Sequence, residues 1–92
     1  MMEDLKDLSK WNNKSTGYYI FPITYKTAYE IFIEYWDINT PIESAKASLC
    51  IIYESINNDN STSIEREWLS IGDSITKLLE IAYLDNKSKY IC

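Results

Sequence analysis

Apolar residues in this chain recur at spacings of three and four, the pattern that predicts helices. Near the start, Leu5, Leu8 and Trp11 fall on every third position and predict a short helix from about Glu3 to Trp11. Asn12-Asn13-Lys14-Ser15-Thr16-Gly17 then breaks it. Tyr18-Tyr19-Ile20-Phe21-Pro22 is rich in β-forming residues, yet Pro22 argues against a central strand, so an extended packed loop is expected. Thr24 caps a second predicted helix that reaches about Ile38. On it Tyr25, Tyr29, Phe32 and Trp36 form one stripe, and Ala28, Ile31, Tyr35 and Ile38 a second. With Ile33 they make the helix apolar over about 220° of its circumference. Glu30, Glu34 and Asp37 take the remaining arc, with Lys26 placed four residues before Glu30 as a partner.

Thr40-Pro41-Ile42-Glu43 has the form of a capping box with proline at the first helical position. It predicts a third helix with Ile42, Ala45, Leu49, Ile52, Tyr53 and Ile56 on one face, ending near Asn57. Thr62-Ser63-Ile64-Glu65 is a second capping box and opens a fourth helix. Its buried stripe is expected to be Ile64, Trp68, Ile71, Ile75, Leu78, Leu79 and Ala82. Gly72 weakens that helix and allows a bend. Asp85-Asn86-Lys87 ends it, leaving 85–92 as a loose tail. These elements predict an all-α fold: one domain spanning 1–92, a small bundle of three longer helices plus a short N-terminal one.

Composition fits one folded domain. The chain has 92 residues, 46% of them hydrophobic, with two glycines and two prolines, too apolar for a disordered acidic tail and poor in turn formers. No secretory signal is expected behind the charged N-terminus, and no apolar run is long enough to span a bilayer. A reducing cytoplasm is therefore expected, with Cys50 and Cys92 as free thiols and the three Asn-x-Ser/Thr sequences as unmodified loops.

Charge changes the picture most. Residues 28–73 hold nine carboxylates against two bases, Lys46 and Arg66, while the whole chain carries a net −5 and no histidine. Catalysis and a metal or other cofactor are not expected: the commonest general base is missing, and carboxylate metal sites in bundles lean on histidine. Asn57–Glu65 has the outline of a calcium loop, but Thr62 replaces the required glycine and Trp68 stands where a bidentate glutamate is needed. Direct nucleic-acid binding and membrane binding are not expected either, since nine bases in an acidic chain supply no cationic stripe.

A surface that meets a basic partner is the remaining reading. Its candidate residues are Glu30, Glu34, Asp37, Glu43, Glu54, Asp59, Glu65 and Asp73, with Leu69 as an apolar anchor among them. Eight of the thirteen aromatics lie between Tyr18 and Trp36, enough to serve also a homodimer through the aromatic helix 24–38. In length, acidity and the interleaving of carboxylates with tyrosine from Tyr25 to Asp37, the chain resembles the small acidic immunity proteins of bacterial nuclease toxins, of contact-dependent growth inhibition and colicin type. Tyr18-Tyr19-Ile20-Phe21-Pro22 echoes the Tyr-Tyr-Pro signature of one such group at a different spacing, so no family residue is carried over. The resemblance implies a cytoplasmic inhibitor that occludes the active site or substrate-docking surface of a cognate basic toxin. The alternative is a phage-encoded acidic nucleic-acid mimic that inhibits a host defence nuclease or CRISPR effector; a helical dimerisation subunit is a third.

Overall fold

A computed structural model describes residues 2–24 and 26–90, so the expectations for Tyr25 and Cys92 lie outside the described residues. It overturns the all-α expectation. The chain is α+β: five antiparallel strands in sequential order, β1 (Asn12–Ser15), β2 (Tyr18–Thr24), β3 (Thr27–Tyr35), β4 (Lys46–Ile56) and β5 (Thr62–Ser74), followed by one helix, α1 (Ile75–Tyr90). Two short 3-10 turns, Met2–Lys6 and Leu8–Lys10, precede the sheet.

Each failed helix has a local reason. The every-third spacing of Leu5, Leu8 and Trp11 is the period of the 3-10 turns that form there. Asp7 caps the second turn by accepting from the Ser9 amide at 3.0 Å and hydroxyl at 2.7 Å, which holds its carboxyl below the usual range. The segment 24–38 is apolar on two sides because its middle, Thr27–Tyr35, is β3, a strand with neighbours on both edges and apolar residues on both faces. A homodimer through an aromatic helix 24–38 therefore falls away. Residues 47–51 are buried without a break, and such a run reads equally as a buried helix or a buried strand; here it is β4. Thr40-Pro41-Ile42-Glu43 leads into one 3-10 turn, Ile42–Ser44, and Thr40 gives its hydroxyl to the Asp37 carbonyl instead. The second capping box lies within β5. Pro22 is tolerated in β2 because β1 reaches no further than Ile20, so β2 is an edge there.

Glycine 72 divides the predicted fourth helix. With φ +73 it adopts the left-handed region that glycine enters without a Cβ penalty, and α1 begins three residues later. Ser74 accepts from the Lys77 amide at 3.3 Å as its cap. Beyond that point the sequence reading holds: Ile75, Leu78, Leu79 and Ala82 are buried as expected. The helix runs to Tyr90, past the stop expected at Asp85-Asn86-Lys87. The hairpin between β4 and β5 replaces the calcium-like loop; Asn60 takes φ 68 in it, and Asp59 accepts from the Ser61 amide and hydroxyl.

The core lies between α1 and one face of the sheet. Phe21, Tyr29, Ile31, Ala47, Leu49 and Ile51 project from the strands, and Leu5 and Trp11 close one margin. Buried Tyr29 donates to Asp85 at 2.6 Å, tying the far end of α1 to β3.

Candidate protein-interaction face

No element packs on the other face of the sheet among the described residues. Strand pairing assigns its residues, because directly opposed residues share a face. Tyr18 stands opposite Phe32, Ile20 opposite Glu30, Glu30 opposite Cys50, Cys50 opposite Trp68, and Ile52 opposite Arg66. An uncovered antiparallel face ordinarily alternates to polar residues. This one does not.

Two features dominate it. The first is an aromatic row: Tyr18 and Phe32 have ring centroids 4.7 Å apart, and Phe32 and Trp68 5.7 Å. The row crosses β4 where its outward side chains are small, at Ser48 and Cys50, so rings from β3 and β5 meet above it. Trp68 remains 50% exposed and Ile64 67%, which leaves apolar surface in water at the β5 side. The second is a buried carboxylate. Glu30, 1% exposed, accepts from the Arg66 guanidinium at 3.2 and 3.4 Å, with the Cys50 sulfur 3.7 Å away on the same oxygen. Burial, and after it the Glu30 charge, pushes the Cys50 thiol from about 9 up to about 11. A thiol so raised is protonated at neutral pH and is a poor nucleophile.

The nine residues expected to form one binding surface are dispersed. Glu30, Glu34 and Glu54 share the open face: Glu34 accepts from Ser48 at 3.0 Å and Glu54 pairs with Lys26 at 3.2 Å. Asp37 holds its own loop by accepting from the Asn39 amide, Glu43 sits exposed on the 3-10 turn 42–44, and Asp59 serves its hairpin. Glu65 projects from β5 on the helix side, 3.5 Å from the Ser55 hydroxyl. Asp73 accepts from Ser70 and pairs with Lys77 at 3.7 Å. Leu69 is half-buried against the core and is not an exposed anchor. Three of the eight acids thus have a cationic partner, and the open face is close to charge balance.

Sequence reasoning missed Tyr18, Phe32, Ile52, Ile64, Arg66 and Trp68 as one surface. The available signal was Glu65-Arg66-Glu67, an alternation of charge sign with the period of a strand, flanked by Ile64 and Trp68. A shallow depression of about 250 Å³ extends the face between Pro22, Ala28, Ile52 and Ile64, with Lys26 and Glu54 at its margin. A separate cleft of about 400 Å³ opens at the end of the sheet by Gly17, Tyr19, Ile33 and Trp36. Among the described residues no group of three or more Cys, Asp or Glu is placed to hold a metal ion. Nor is any helix among the described residues long and apolar enough to cross a membrane.

No family model, curated protein or solved structure matches this chain. The open face therefore carries the functional reading alone.

Proposed function

We propose that this chain is a non-catalytic, cytoplasmic protein-binding module of the immunity type, which neutralises a basic toxin by laying its open sheet face over the toxin's active site or substrate-docking surface. One observation carries this reading: a row of aromatics, Tyr18, Phe32 and Trp68, on a face that no described residue covers. Specific interfaces have a desolvated aromatic centre poor in free charge and a charged rim. The open face supplies the centre, with Glu30 paired to Arg66 and Glu54 to Lys26. Exposed Glu34, Asp37, Glu65 and Glu67 supply a rim that attracts and orients a basic partner. Uneven spacing of these acids, with three of the eight candidates ion-paired, weighs against a mimic of the regular phosphate backbone.

Co-expression with the product of the adjacent gene tests the proposal. That product should be toxic alone and harmless beside this chain. Trp68→Ala and Phe32→Ala should each abolish protection while the purified variants keep the wild-type circular dichroism spectrum. Protection that survives both substitutions, or a neighbour that is neither toxic nor bound, overturns it.

A further inference from the structure

The two edges of the sheet are built differently. Strand β1 is short, carries Lys14, and has its register broken between Asn13 and Ser15. Those are the devices that stop an edge from recruiting another strand. Strand β5 has none of them over its first half. It is the longest strand, has β4 as its single neighbour, and pairs without interruption from Thr62 to Trp68. Neither proline nor lysine occurs in 62–74. Alternate amides and carbonyls of 62–68 therefore face outward with no strand beside them.

We propose that this edge accepts an extended strand from the partner, and that the incoming strand carries lysine or arginine at alternate positions. The inference rests on the partner-binding function proposed above and names the mode of docking. A guest strand continues the pleat, so its side chains fall in two rows. One row lies beside Ile64, Arg66 and Trp68 and extends the open face, its apolar part beside Ile64 and Trp68. The other lies beside Glu65 and Glu67, both exposed and neither ion-paired among the described residues. Opposite charge at directly paired positions stabilises a ladder, and like charge destabilises it.

The same rule disfavours a second copy of this chain paired about the centre of the acidic stretch, residues 65–67. Two β5 edges related by a two-fold axis pair antiparallel, with same-face residues opposed. An axis at residue 65 or 67 sets Glu65 or Glu67 against itself. At residue 66 it sets Glu65 against Glu67 twice and Arg66 against its copy. The net −5 of each chain adds to the repulsion.

The probe is the peptide acetyl-Lys-Val-Lys-Ile-Lys-Val-Lys-amide, titrated to millimolar concentration against the isotope-labelled protein and read by amide NMR. Amide shifts should concentrate on 62–68, with slowed hydrogen exchange there. A version N-methylated at alternate residues and a version with glutamate for lysine should each bind about tenfold more weakly or worse. The double substitution Glu65→Lys, Glu67→Lys should reverse the preference between the two charge versions. No shift on 62–68, or shifts unaffected by N-methylation, overturns strand addition. Protection from a toxic neighbour is scored separately: if it holds while the peptide fails, only strand addition falls. If the peptide pairs with β5 but protection fails, the immunity reading falls and the receptive edge stands.

Discussion

The two faces of one sheet have opposite fates, although their residues are similar in kind. Toward α1, Tyr29, Ile31, Leu49 and Ile51 are at most 2% exposed, and the helix that covers them is capped and tied back through Asp85. Away from α1, Phe32, Ile52, Ile64 and Trp68 are as apolar but stay partly in water. Burial, not composition, separates the stabilising face from the one available for binding. The covered face should therefore supply the domain's stability, and the isolated domain should barely depend on the aromatics of the open one.

Leu49→Ala should act most strongly. Its side chain is fully buried between sheet and helix, and truncation at such a site costs about 3 kcal/mol, measured by urea unfolding. A loss below about 1 kcal/mol would mean that α1 does not close over the sheet. Next comes Arg66→Met, which strips the buried Glu30 carboxylate of its cation. With the guanidinium itself half-exposed, the expected loss is about 2 kcal/mol. The double variant Glu30→Gln, Arg66→Met should recover part of it, since the uncompensated charge is gone; additive losses would break the assignment.

Cys50 gives a pH-dependent test of the same pair. The unfolded chain releases the thiol proton near pH 9, and the folded chain holds it to about 11. The folded pKa is raised, so this contribution is complete below pH 9 and is lost as pH climbs through 11. It is on the order of 2 kcal/mol. Unfolding of wild type and Cys50→Ala at pH 8 and pH 11 isolates it, because other titrating groups are common to both: the variant should lose less stability over that interval. Trp68→Ala should change stability by less than about 1 kcal/mol, since half of the indole already lies in water. A larger loss would make the open face structural. The smallest effect belongs to Lys77→Ala, whose surface pair with Asp73 joins the first turn of α1 to the end of β5 and is worth about 0.3 kcal/mol.

Read without coordinates, the stretch Ile64–Ala82 looks like one amphipathic helix, and its second half is one. Ile75, Leu78, Leu79 and Ala82 keep the helical period and are buried. Ile64, Trp68 and Ile71 keep the same spacing but lie in β5, at 67%, 50% and 70% exposure. What separates them is Gly72, whose left-handed backbone sits at an irregularity near the end of β5 where a helix could not continue, and β4, which offers Thr62–Ser74 a ladder. Periodicity alone cannot weigh that ladder against an internal helix, because strand pairing is a contract between distant segments.

By itself, then, the sequence determined a foldable acidic domain, the C-terminal helix from Ile75 onward, and the turns at Thr16-Gly17 and Asn57–Asn60. It also determined that charge of one sign gathers in the middle of the chain, since charge is a property of composition. Only tertiary structure decided which apolar residues pack and which face solvent. The reason is that β3 and β4 are apolar on both sides, and a single helix can cover one side only. The same choice buried Glu30 beneath Arg66 and left Trp68 half in water.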